Sequence, residues 1–215
     1  MKIDKFFQYS YVYKNKSIFG AKCGGVCTGL SLAWIEANIE HKGFKQYAKQ
    51  TPIKHKVAQW QEQYSRNKIC INSSLGQDVD AFIMITGDED LLRQWGDMVG
   101  YRLTRMEGGS GGPGKERKNM LAQLTWSMIS RNVGMVYGII RLMPKDGNGH
   151  CLAWTQLDKV YSFFDANFGI YSGITEVKLP GFISSHLKRY YKDLNYTWTT
   201  AKFSKIYTTQ PLLTP

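Results

Sequence analysis

The stretch Gly24-Gly25-Val26-Cys27-Thr28-Gly29-Leu30-Ser31-Leu32-Ala33-Trp34-Ile35 decides how this chain is read. A thiol follows two glycines and stands where an apolar run of helical period begins. Leu30, Ala33, Trp34 and Ala37 share one face, with Ile35 and Ile39 beside it. The pattern predicts a helix over Thr28–His41, with Thr28 as its cap or first-turn residue. A cysteine at a helix N-terminus meets unpaired backbone N–H groups and the positive end of the helix dipole, and both favour thiolate over thiol. The stretch therefore predicts a poised nucleophile at the start of a core helix.

Outward from it, residues 1–22 read as an irregular or extended leading segment, with 1–20 flexible or signal-like. Residues 42–68 set Lys42, Lys45, Lys49, Lys54, Lys56, Arg66 and Lys68 against Glu62 alone. Thr51-Pro52 divides this region into two short helices. A solvated helix face accounts for its charge, and a docking surface is the functional alternative. The sign then reverses over 76–99 (Asp78, Asp80, Asp88, Glu89, Asp90, Asp97). There Val79, Phe82 and Ile83, then Leu91, Leu92 and Trp95, give apolar faces to two helices joined near Thr86-Gly87. Tyr101–Met106 reads as a strand and Glu107–Gly114 as a glycine-rich loop. Lys115–Arg131 reads as a helix with Met120, Leu121, Leu124 and Met128 inward.

From Val133 the pattern becomes strand-like. Val133–Leu142, His150–Leu157 and Val160–Phe164 are rich in Val, Ile, Phe, Tyr and Trp, and are broken by Pro144–Gly149 and Asp158-Lys159. Ser172–Leu179 reads as a further strand, Gly181–Asp193 as a helix and Tyr196–Thr208 as a last strand. Helices followed by an antiparallel meander predict an α+β fold of two layers, with residues 1–215 forming one domain.

The chain has 28 Lys+Arg against 17 Asp+Glu, a formal charge of +11 and a pI of about 9.4. That balance favours an acidic partner. Met1–Tyr13 lacks the apolar segment of a cleaved secretory signal, and Val133–Met143, interrupted by Arg141, falls short of the ~18 residues of a membrane span. A soluble protein is expected. Four cysteines (Cys23, Cys27, Cys70, Cys151) in 215 residues suggest a reducing working compartment rather than a disulfide scaffold.

The second informative stretch is Gly149-His150-Cys151-Leu152-Ala153-Trp154-Thr155 with Phe163-Phe164-Asp165-Ala166-Asn167-Phe168-Gly169. His150 opens one strand and Asp165 closes the next after a short reversal. In a two-stranded hairpin the start of one strand lies beside the end of its partner, which makes imidazole and carboxylate neighbours. The carboxylate can then hold one ring nitrogen and leave the other for the thiol. Nucleophile, base and the orienter of the base are all present.

Gly-Val-Cys-Thr-Gly-Leu-Ser-Leu-Ala-Trp, a Gly-His pair opening a strand and Phe-Phe-Asp-Ala-Asn-Phe-Gly together resemble the YopT/AvrPphB-type cysteine proteases, a papain-like family of bacterial type III effectors. The resemblance spans about residues 20–175 and keeps the Cys, His, Asp order. It implies a papain-like domain in which a helical layer bearing the cysteine packs on an antiparallel sheet bearing the other two residues. Cys27 would be the nucleophile, His150 the general base and acid, and Asp165 the orienter. It implies a host protein substrate and no metal or cofactor. Delivery would be into a host cell by a type III-like route, with action in the host cytoplasm or at an anionic membrane, which the basic 42–68 and 178–205 regions would suit. One departure stands out: papain-like enzymes place an amide side chain shortly before the cysteine as an oxyanion donor, and here Gly20-Ala21-Lys22-Cys23-Gly24 holds no Asn or Gln. The Cys27 backbone N–H supplies one donor; Lys22 or another backbone amide is left for the second. The same triad geometry serves glutamine deamidases, transglutaminases and acyltransferases, among which sequence does not choose.

Rival motifs are weaker. Gly108-Gly109-Ser110-Gly111-Gly112 fits a serine-hydrolase elbow and would need His186 as base. Gly109–Lys115 fits a phosphate loop but has Glu116 where a Ser or Thr is required. Cys23, Cys27, His150 and Cys151 offer four zinc ligands, yet adjacent strand residues His150 and Cys151 point to opposite faces. No specific nucleic-acid-binding signature is present.

Overall fold

The computed structural model describes residues 1–20, 25–71, 89–110, 115–129, 134–143, 149–191 and 197–205, with side chains at 66–71, 110, 115–117 and 197 excepted. The chain runs β1 (Lys2–Asp4), α1 (Gln8–Lys14), α2 (Lys16–Phe19), α3 (Cys27–Ile39), α4 (Phe44–Tyr47) and α5 (Thr51–Ile71). It continues with α6 (residues 89–98), β2 (Tyr101–Ser110), α7 (Lys115–Met128), β3 (Val136–Met143), β4 (His150–Leu157), β5 (Val160–Asp165) and β6 (Gly169–Thr175). A short 3₁₀ turn (Glu176–Lys178), α8 (Leu179–Tyr190) and β7 (Thr197–Lys205) complete it. Among these residues no helix is long and apolar enough to cross a membrane.

The seven strands form one antiparallel sheet in the order β1-β6-β5-β4-β3-β7-β2. Its centre is the expected meander. The β4–β5 hairpin turns on Asp158 and Lys159, with φ of 48° and 63°. Two consecutive positive φ values match a type I′ turn, whose twist suits the flanking strands. The turn fixes the register Leu157↔Val160 through Leu152↔Asp165.

One face of the sheet carries Tyr137, Ile139, Cys151, Ala153, Phe164, Ala201 and Phe203, packed against α3 to α6. Because α3 lies between the sheet and α5, every residue from Cys27 to Ala37 is buried, rather than one stripe. Trp34 stacks on Phe164 with centroids 5.6 Å apart, and α5 presents Ile53, Val57 and Trp60 inward at helical spacing. Gly29 is where the helices touch: a Cβ there would lie 2.2 Å from the Val57 carbonyl oxygen. In α6, Leu91, Leu92 and Trp95 are buried as expected; the helix expected before it lies outside the described residues.

Beyond the two expected layers, α7 and α8 cover the sheet's other face through Met120, Leu121, Leu124, Met128, Leu179, Ile183 and Leu187. The physical reason is visible in β3 and β4, which are buried at almost every position rather than alternately. Strands of that kind need cover on both faces.

Four boundaries differ from expectation. The leading segment is structured: β1 pairs with β6, and Phe6 packs on Phe44 and Phe164 at 5.2 and 5.8 Å. The region divided at Thr51-Pro52 contains one short helix and one of 21 residues. Glu107–Ser110 is not loop; it extends β2 along β7, with Gly109 opposite Trp198. A side chain at Gly109 would approach the Trp198 indole nitrogen to 3.2 Å, so glycine there serves close packing. β6 starts at Gly169 and ends at Thr175, and α8 begins at Leu179, both earlier than their patterns suggest. Residues 111–114 of the glycine-rich run and most of the Pro144–Gly149 turn lie outside the described residues.

Candidate active site

Cys27 is the first residue of α3 and is 7% exposed. Val26 occupies the cap position without a side-chain hydrogen bond, so Thr28 is not the cap. The role falls to Gln61 on α5, whose Oε1 accepts from the N–H groups of Thr28 at 3.0 Å and Gly29 at 3.4 Å. Among the described residues no acceptor is paired with the Cys27 N–H. Burial alone would push the Cys27 thiol up. A hydrogen bond and charge interaction with His150, joined by the backbone amides of Cys151 and Thr28, outweigh burial and hold its pKa below the ordinary thiol value.

His150 opens β4 and Asp165 closes β5, on one face of the hairpin because His150 precedes Leu152, the partner of Asp165, by two residues. His150 Nε2 lies 3.0 Å from Asp165 Oδ1. The imidazole is covered by Tyr191, stacked at 5.1 Å and 25°. Burial lowers the His150 pKa, but the Asp165 and Cys27 partners more than reverse this and push it up to about 10. Nucleophile candidate and imidazole thus favour the thiolate–imidazolium pair.

Asp165 is fully buried and surrounded by donors. Oδ1 accepts from His150 and from the Asn167 N–H at 2.9 Å. Oδ2 accepts from His186 Nε2 at 2.8 Å and from the Tyr191 hydroxyl at 2.7 Å. Burial opposes ionisation, yet these donors hold the carboxyl well below the usual carboxylate range. An ionised carboxylate only accepts, so Nε2 carries the proton in both histidines. That leaves Nδ1 of His150 for the thiol.

His186, Tyr191 and Gln61 escaped the sequence reading as members of this site. His186 sits on α8 in register with the buried Leu179, Ile183 and Leu187, and a histidine on an apolar face was the one signal available. Gln8 also escaped: its Oε1 accepts from the Val26 N–H at 3.0 Å and its Nε2 donates to Asn167 Oδ1 at 2.9 Å. Ser110 and His186 are not brought together. Ser110 ends β2 at one edge of the sheet, four strands from the β5 carboxylate that engages His186. Lys22 and Cys23 lie outside the described residues. Among those described, no group of three or more His, Cys, Asp or Glu is arranged to hold a metal ion.

Residues 5–205 match the family model Peptidase_C58, described as Yersinia/Haemophilus virulence surface antigen. The fold is similar to the crystal structure of the Pseudomonas avirulence protein AvrPphB, with a TM-score of 0.64 and 13% identity over 94% of this chain and 97% of that one. The ubiquitin-specific protease encoded by a murine cytomegalovirus tegument protein, solved with a ubiquitin-based suicide substrate, aligns at a TM-score of 0.43 and 13% identity over 98% and 89% of the two chains. No curated protein sequence matches significantly.

Proposed function

The chain belongs to the Yersinia/Haemophilus virulence surface antigen family of peptidases, and from that membership we propose that it is a cysteine protease using Cys27 as nucleophile, His150 as general base and acid, and Asp165 as orienter. The observation that carries the assignment is the His150 imidazole held between the Cys27 thiol and the Asp165 carboxylate.

The Cys27 thiolate adds to the carbonyl carbon of the scissile amide, and the carbonyl electron pair moves onto oxygen. The Cys27 N–H faces that charge as it forms. On collapse the C–N bond breaks, and His150 gives its Nδ1 proton to the leaving amine. It then takes a proton from the water that releases the acyl group. Asp165 holds the ring in one tautomer throughout.

Family membership supports a protein substrate and a virulence role. Delivery into a host cell and action on a host protein, in its cytoplasm or at an anionic membrane face, complete the reading; the net charge of +11 suits such a surface. The test uses Cys27→Ala, His150→Ala and Asp165→Ala with intact-mass analysis of candidate host proteins. Two fragments that vanish with each substitution are expected. A shift of about one dalton in place of fragments would make the enzyme a deamidase, and unchanged activity in all three variants would remove the triad.

A further inference from the structure

We infer that Gln8 supplies the second oxyanion donor, from the N-terminal segment instead of the residues just before the nucleophile. The inference rests on Cys27 as nucleophile and answers the absence of Asn or Gln between Gly20 and Gly24.

The orientation of the Gln8 amide is dictated by its partners. The Val26 N–H can only donate, so the atom facing it at 3.0 Å is Oε1. Nε2 then faces Asn167 Oδ1 at 2.9 Å. These two bonds use the oxygen and one of the two amide hydrogens. The group lies between the segment that leads into α3 and the loop that leaves β5, which adjoin Cys27 and Asp165. Its closeness to the first is marked by Gly25, where a Cβ would come within 3.3 Å of Nε2. Any larger residue there would press on the amide.

The backbone adds a third tie. The Gln8 N–H donates to the Ala166 carbonyl at 2.7 Å, fixing the start of α1 on the same loop. Phe6 reinforces the position through Phe44 and Phe164. Gln8 is therefore half-buried, held at both ends of its amide and on its backbone, and left with one N–H beside the Cys27 end of α3. A rigid donor aimed at developing charge is what lowers the barrier to a tetrahedral intermediate, since it needs no reorganisation during the reaction.

The test compares two reactions of the same thiol in the full chain. Acylation by p-nitrophenyl acetate proceeds through a tetrahedral oxyanion: sulfur adds to the carbonyl carbon, the oxyanion collapses and p-nitrophenolate leaves. Alkylation by iodoacetamide displaces iodide directly and forms no oxyanion. Gln8→Met removes the donors without adding charge, and Gln8→Glu keeps an oxygen for the Val26 N–H. In both variants acylation should fall by about tenfold or more while alkylation stays at the wild-type rate. Lys22→Ala should leave both reactions unchanged. Rates that fall in parallel would make Gln8 a support for the nucleophile, and unchanged acylation, or a loss confined to Lys22→Ala, would remove it from the oxyanion site. Each of those results overturns the inference. Modification of a residue other than Cys27 in the wild type would instead overturn the triad on which it rests.

Discussion

His186 Nε2 on α8 donates to Oδ2 of Asp165 at 2.8 Å, so a carboxylate that engages His150 through one oxygen is held through the other by a second histidine. With the Tyr191 hydroxyl on the same oxygen, Asp165 has no freedom to rotate away. Removing a hydrogen bond to a charged group costs about 1.5–3 kcal/mol, and about 1.4 kcal/mol is tenfold in rate. His186→Phe should therefore lower kcat/KM by roughly tenfold to a hundredfold. His186→Gln, which can keep a donor, should recover part of the loss. Iodoacetamide labelling of Cys27 at mildly acidic pH distinguishes positioning from a general packing defect, because it should weaken in His186→Phe and return in His186→Gln.

Tyr191 acts on the pair twice, through its hydroxyl on Asp165 and its ring on His150. Tyr191→Phe keeps the ring and leaves His186 on Oδ2, so its effect on kcat/KM should be the smaller, at the roughly tenfold end of the range for a hydrogen bond to a charged group. Tyr191→Ala exposes the imidazole to water as well and should cost more. Equal losses in the two variants would show that the stacked ring contributes nothing.

The shifts at Cys27 and His150 set a pH window. Cys27 is held below the ordinary thiol value and His150 is raised to about 10. The reactive pair should therefore persist from the acid side, where the thiolate is protonated, to the alkaline side, where the imidazolium is lost near pH 10. The pH profile of iodoacetamide alkylation should show a Cys27 midpoint below ~8.5, and His150→Ala should move it back up. Linkage gives the sign for stability. A histidine whose folded pKa is raised contributes fully below its unfolded value of ~6.5, and that contribution is lost as pH rises through the folded value. Asp165, whose pKa is lowered, contributes above the ordinary carboxyl value of ~3.9 and loses its contribution as pH falls below it. Urea midpoints across pH should show the wild-type advantage over His150→Ala shrinking toward pH 10.

Local pattern carried the place of Cys27 at a helix start, the hairpin and most helices, because each is written in neighbouring residues: a cysteine before an apolar helical run, a two-residue reversal, and strands of Val, Ile and aromatics. The site residues that were missed depend on partners far apart in sequence. Gln61 caps α3 from 33 residues away, His186 reaches Asp165 across 21, and Gln8 reaches Asn167 across 159. No spacing rule encodes such contacts. The strand through Glu107–Ser110 failed for a related reason, since its glycines read as loop until the Trp198 indole packed against Gly109 is known.

Gly29 is where fold and site depend on one atom. Had α3 and α5 been held apart by side chains at this crossing, Gln61 could not reach the first turn of α3 and the Cys27 end would lack its cap. A methyl at Gly29 would fall 2.2 Å from the Val57 carbonyl oxygen, a backbone atom that no rotamer change can move. Overpacking of this kind costs about 1–3 kcal/mol, and loss of the Gln61 cap adds ~1 kcal/mol. Gly29→Ala should therefore lower the urea midpoint by an amount that Val57→Ala, which removes only side-chain atoms, fails to restore in the double variant. Gln61→Ala should show the smaller, cap-only loss. Full rescue by Val57→Ala would mean that the helices meet through side chains and that the backbone approach at Gly29 is not what seats Cys27.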